Sequence, residues 1–230
     1  MRKKPEYKVK KHILSRMIFS NRCRICAEVL PINQDVCDNC SVEKIRVSEE
    51  KIASLVFTNR QIDGLTAPFY YDEPIKKCIH NFKYNNFKKA SEFLSTEMIN
   101  VIERDFKDEN PDYITCIPMS KRRKTKKVFN QGEVLIKYIS KAFDRKYTPD
   151  LLKKVKNTVP QARLDGKERL SNLKGAFKIN EKYDIKDKTV LICDDVITTG
   201  STFEECAKVL KKAGAKRVIC AVSAFNSKNM

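Results

Sequence analysis

No apolar run in the sequence approaches the length needed to cross a bilayer, which excludes a membrane-spanning helix. The chain opens Met1-Arg2-Lys3-Lys4 and runs into further charge without an apolar signal segment, so a soluble, unexported protein is expected. There is no internal repeat and no low-complexity segment. Histidine is scarce: His12 and His80 stand alone, without a partner at ligand spacing, and neither indicates catalysis or metal binding. Acidic residues are in deficit, 29 Asp+Glu against 47 Lys+Arg, leaving a formal net charge of +18 and a pI near 9.5. Such an excess favours polyanionic partners, whether nucleic acid, anionic lipid or phosphorylated ligands, and equally fits a Lys-rich solvated surface.

What remains is enough chain, 230 residues, for one α/β domain with or without a small module. Of nine cysteines, Cys78, Cys116, Cys193, Cys206 and Cys220 sit singly in apolar runs, where cysteine behaves as a small hydrophobe. That usage is typical of a reducing compartment, and a cytoplasmic location is expected. The other four form Cys23-x-x-Cys26 and Cys37-x-x-Cys40 with ten residues between the pairs. Two short loops face to face bring four thiolates within reach of one tetrahedral ion. Zinc in a closed structural site is the natural occupant, and it would hold together a module too small to fold on its own core. A disulfide pair, a redox pair and an iron–sulfur cluster are the alternatives.

The chain divides into a basic lead-in (1–22), a tetracysteine module (23–60) and an α/β domain (61–230). Aromatic-rich residues 62–72 read as an outer strand, and helical spacing follows at Ile75–Phe82 and Phe87–Ile102. Tyr113–Ile117, fenced by Pro111 and Pro118, reads as a buried strand, followed by a basic loop and a helix through Val134–Ala142. Residues 144–174 are charged and poor in large apolar side chains, long enough for a loop. Thr189–Cys193 and Arg217–Phe225 read as strands separated by a helix at Thr202–Lys212, which Gly214 closes at a left-handed C-cap. A strand–helix–strand unit of that length implies a parallel sheet.

The densest chemistry lies at 190–202. Asp194 and Asp195 fall where the strand is expected to end, the place at which open α/β sheets bind ligands. The turn Thr198-Thr199-Gly200-Ser201-Thr202 opens a helix with free backbone N–H groups, hydroxyl donors and a glycine permitting close approach, a combination suited to phosphate. A phosphate beside two carboxylates fits a ribose 5-phosphate, whose vicinal hydroxyls donate to the carboxylates, with Mg²⁺ reconciling the charges. The plainer alternative is a solvated strand end followed by a helix capped by Thr198 or Ser201.

The segment resembles the phosphoribosyl diphosphate signature of type I phosphoribosyltransferases. Together with the tetracysteine head, Lys83-Tyr84, Ile117-Pro118-Met119, Phe129-Asn130-Gln131, Gln161, Arg169, Asn172 and Phe177, the chain over about 20–225 is similar to the ComF family of competence-associated proteins. The resemblance implies an α/β, parallel-sheet type I phosphoribosyltransferase fold carrying a small zinc module. It implies that Asp194 and Asp195 serve the ribose, that Val196 to Thr202 bind the phosphoribosyl group, and that Pro118, Met119, Ser120, Lys121 and Arg122 contact the diphosphate. Arg163, Lys167 and Arg169 lie in a charged segment that is a candidate lid or a solvated loop. Where the family has Arg-Gly-Phe-Asn-Gln, this chain has Lys127-Val128-Phe129-Asn130-Gln131, keeping the charge and losing the glycine. The implied partners are phosphoribosyl diphosphate with Mg²⁺, or a nucleotide, together with single-stranded DNA and the DNA-uptake machinery.

Overall fold

The runs at 190–193 and 218–222 show no polar alternation, and a strand of that pattern is stable only with both faces covered. The computed structural model describes residues 21–48, 61–84, 88–119, 130–156 and 173–226. Its elements are β1 (Gly64–Thr66), β2 (Phe69–Tyr70), α1 (Ile75–Tyr84), α2 (Lys88–Asp105) and β3 (Tyr113–Cys116). There follow α3 (Gln131–Ala142), β4 (Leu152–Lys154), β5 (Phe177–Ile179), β6 (Thr189–Ile197), α4 (Ser201–Lys212) and β7 (Arg217–Phe225).

The main sheet has five strands, all parallel, in the order β1, β7, β6, β3, with β2 also pairing β7. Strands β6 and β7 run side by side for most of their length, from Thr189↔Arg217 to Ile197↔Phe225. Their side chains divide by the pleat. Leu191, Cys193, Ile219 and Ala221 enter a core shared with α1, α2, α3 and the cysteine module. Val190, Ile192, Val218, Cys220 and Val222 enter a second core with α4 and the antiparallel pair β4–β5. All five single cysteines are fully buried, as small hydrophobes should be.

Several details differ from the sequence reading. The outer strand at 62–72 is two short strands, broken at Ala67-Pro68, because Pro68 has no N–H to give the ladder. The charged 144–174 stretch contains β4, which Leu151 and Leu152 anchor by complete burial; a strand this short leaves too little alternation to detect, and its partner β5 was equally invisible. Helix α3 starts earlier than the apolar spacing indicates because Asn130 caps it, accepting from the Gly132 N–H at 3.1 Å and donating to Glu133 at 3.0 Å. Gly214 takes φ +95° after α4, as expected of a C-cap glycine. The lead-in to residue 20 lies outside the described residues.

Neither outer side of the sheet is bare. Thr148 donates from its N–H (3.3 Å) and its hydroxyl (2.8 Å) to the Ile114 carbonyl on the free side of β3. Beside β2, the Val47 N–H reaches the Pro68 carbonyl at 3.0 Å, and Arg46 bridges Phe69.

Helix α3 approaches β3 closely because Gly132 has no side chain: a Cβ there would lie 2.8 Å from Cys116 Cβ, a separation real Cβ atoms do not adopt. Gly132→Ala is therefore expected to destabilise the protein by about 1–3 kcal/mol despite the better helix propensity of alanine, measured by urea denaturation.

Candidate functional site

Strand β6 is longer than β3, and this difference in length creates the site. Pairing between them ends at Cys116↔Cys193, with the Ile117 N–H reaching the Cys193 carbonyl at 3.3 Å. The chain of β3 then leaves as Ile117-Pro118-Met119, with Pro118 buried and Met119 half-buried. Strand β6 continues past the two carboxylates to Ile197, a correction to the expectation that it stops before them. Asp194 and Asp195 thus lie where β6 loses its neighbour on one side while keeping β7 on the other.

The two carboxylates occupy different environments. Asp195 is 7 % exposed and its Oδ2 forms an ion pair with Lys83 Nζ at the end of α1. The half-buried Asp194 accepts the Asp195 backbone N–H at 2.9 Å. Burial and the adjacent Asp195 charge push the Asp194 carboxyl up to about 8, against the opposing pull of that N–H and of Lys83. Burial works against the Lys83 charge, but Asp195 beside it and Asp194 nearby hold its pKa above the ordinary lysine value. This pair is no solvated strand end. It is a charged cluster largely withdrawn from water.

Four residues on, the turn reaches α4. Gly200 is the N-cap, in the left-handed conformation at φ +73°, so neither Thr198 nor Ser201 stands at the N-cap position. The Thr199 and Ser201 hydroxyls are 3.1 Å apart, Ser201 is buried, and Thr198 and Thr199 are half-buried. Glu204, one turn into α4, is 7 % exposed with neither carboxylate oxygen partnered among the described residues, and burial alone pushes it up to about 7. The sequence reading passed over Glu204, since a glutamate in a first helical turn ordinarily faces solvent. It also left Lys83 out of the site; the lysine was visible in the family pattern, but nothing local indicates a partner so far along the chain.

The tetracysteine module is a second centre. The Sγ atoms of Cys23, Cys26, Cys37 and Cys40 all lie within 4.8 Å of one another, and Cys26 and Cys37 Sγ are 3.6 Å apart. All four are free, and the spacing suits a tetrahedral ion with metal–sulfur bonds of about 2.3 Å. Burial pushes the Cys23 thiol up, but the backbone N–H groups of Cys26, Cys37 and Ile25 outweigh it and bring the thiol down to about 7. The cluster could hold a metal ion.

Ser120, Lys121, Arg122, Arg163, Lys167 and Arg169 lie outside the described residues. So do Phe129, Gln161 and Asn172.

A parallel sheet bearing an acidic pair at its open end, followed by a glycine-cornered hydroxyl turn, defines a phosphoribosyltransferase-type domain, and the phosphoribosyl transferase domain family matches residues 83–229. Competence protein F of Haemophilus influenzae is 32 % identical over 154 residues, 65 % of this chain and 67 % of that protein. DNA utilization protein YhgH of Escherichia coli is 25 % identical over 199 residues, 85 % and 86 % of the two chains. Competence protein ComFC of Streptococcus pneumoniae is 31 % identical over 156 residues, 66 % and 64 % of the two. The chain belongs to the ComF family. Among solved structures, a hypoxanthine phosphoribosyltransferase from Staphylococcus aureus aligns with TM-score 0.38 and 14 % identity over 60 % of this chain and 66 % of that one.

The buried Glu204 gives the fold a pH dependence. Its carboxyl releases its proton near 4.5 in the unfolded chain and near 7 in the folded one, so its effect is a loss of stability as pH rises through that interval. Glu204→Gln should leave stability nearly unchanged at pH about 4.5 and raise it at pH about 8 by up to ~3 kcal/mol, read from denaturant midpoints at the two pH values.

Proposed function

We propose that this chain binds phosphoribosyl diphosphate together with Mg²⁺ and serves, in the cytoplasm, the uptake of DNA in natural transformation. The observation that carries the reading is the withdrawn pair Asp194–Asp195 followed by the left-handed Gly200 turn at the start of α4. In this reading the carboxylates accept hydrogen bonds from the ribose hydroxyls, and the backbone and hydroxyls from Thr198 to Thr202 take the 5-phosphate. Val196 and Ile197 carry the chain between them. Pro118 and Met119, which leave β3 after its pairing with β6 ends, would face the diphosphate together with Ser120, Lys121 and Arg122, which follow them in the sequence. Bound Mg²⁺ would compensate the diphosphate charge next to two carboxylates. Transfer would break the bond from ribosyl C1 to diphosphate and form one to an acceptor through an oxocarbenium-like centre, for which the chain's task is to hold and shield rather than to attack. Arg163, Lys167 and Arg169 remain lid candidates by their charge in the sequence alone. The link to DNA uptake comes from the relatives named for competence and DNA utilization.

For the tetracysteine centre we propose zinc in a structural role, since four thiolates leave no open position. Protein purified without added metal should contain about one zinc ion per chain by elemental analysis, and iron or no metal would overturn this assignment.

A second reading draws on the charge of +18, which exceeds what one small diphosphate requires and would suit the backbone of single-stranded DNA. Affinity for an oligonucleotide should then fall linearly in log salt with little dependence on sequence, and an interaction insensitive to salt would count against it.

The first test of the site is isothermal titration with phosphoribosyl diphosphate and Mg²⁺. Binding by the wild type and its loss in the Asp194→Asn, Asp195→Asn double variant is the expected outcome. Retained affinity in a folded double variant would sink the assignment.

A further inference from the structure

We propose that Lys83 is a positioning residue of the ribose site, and that the tetracysteine module sets its place through α1; the inference rests on the sugar-phosphate reading of Asp194–Asp195.

One short helix touches both centres. Arg24 and Ile25 are the two residues between Cys23 and Cys26, and α1 engages the carbonyls of both. Cys78 Sγ reaches the Arg24 carbonyl at 3.8 Å, and Asn81 Nδ2 donates to the Ile25 carbonyl at 3.0 Å from a buried position. Around these bonds Cys23, Ile25, Cys37 and Cys40 share a single core with Ile75, Ile79 and Phe82 of α1. Lys83 follows Phe82 directly, and its ammonium meets Asp195.

The direction of the coupling follows from the chemistry. A carboxylate that accepts from ribose hydroxyls must be ionised and correctly aimed, and Asp195 is buried beside a second carboxylate. Among the described residues, Lys83 is the cation paired with it. Removing that cation leaves Asp195 without its counter-charge in a poorly hydrated place, so its ionised form becomes costlier and its carboxylate loses the contact that aims it. The Lys83 stem is only as well placed as the helix end it leaves. That end is held by packing and hydrogen bonds to the knuckle, since α1 is too short to be stable by itself.

The experiment is a titration of the full chain with phosphoribosyl diphosphate and Mg²⁺ across wild type, Lys83→Met, Lys83→Arg, Asn81→Ala and the double variant Lys83→Met, Asn81→Ala. Lys83→Met is expected to weaken binding by about tenfold or more, with Lys83→Arg recovering most of it. Asn81→Ala should weaken the wild type severalfold yet add nothing on top of Lys83→Met, because both act along one path. Lys83 is at a partly exposed helix end, so its variants test the proposal even where Asn81→Ala impairs folding. Unchanged affinity in Lys83→Met would overturn the proposal while leaving the site intact, as would full additivity of the two substitutions for the link to the module. A wild type that does not bind at all would overturn the sugar-phosphate reading itself and the proposal with it.

Discussion

Everything in this molecule follows from the need to cover both faces of two adjacent parallel strands. Strands β6 and β7 offer apolar side chains to either side, so the chain must supply two separate layers. One is built from α1, α2 and α3, the other from α4 and the small antiparallel pair. A parallel sheet also gathers the carboxyl ends of its strands at one rim, where loops rather than helices face the solvent. The chemistry occupies that rim because the covered faces leave no room for it elsewhere. Asp194 and Asp195 need no special backbone to be placed there: they are the first residues of β6 beyond the reach of β3.

The same requirement explains the cysteine module. Cys23, Ile25, Cys37 and Cys40 do not enclose an interior of their own but join the layer over α1 and α2. Lys89 donates to the Asn21 side chain at 2.9 Å, and Arg46 pairs with Glu97 at 2.8 Å while lying over Phe69. The loop pair gathered around the four cysteines therefore acts as a cover for helices that would otherwise expose Ile79 and Phe82, and it is a working part of the main core.

How much of this was readable beforehand depends on the range over which each signal acts. Arg217–Phe225 was legible to the residue, since the apolar run 218–222 within it is the mark of a strand buried on both faces. The hydroxyl turn and the four-cysteine spacing were legible because both put their chemistry into contiguous residues. Strand β4 was not: three residues inside a charged stretch are held by the burial of Leu151 and Leu152 and by pairing with β5, a contact the local sequence does not encode. The end of β6 was misjudged for a related reason, as acidic residues ordinarily terminate strands and these are retained by β7 alone. Lys83 and Glu204 were missed because their significance lies in what surrounds them in space.

The closed flanks of the sheet carry a consequence for how the protein meets others. Among the described residues, with Thr148 occupying the outer carbonyl of Ile114 and Val47 that of Pro68, neither border presents a long unpaired ladder, and the break at Pro68 shortens what remains. The molecule is poorly suited to growing by the addition of a strand from another chain, and so to the fibrous self-association that bare borders invite. Recognition is left to side chains, and over the whole sequence lysine and arginine outnumber their acidic counterparts, 47 to 29.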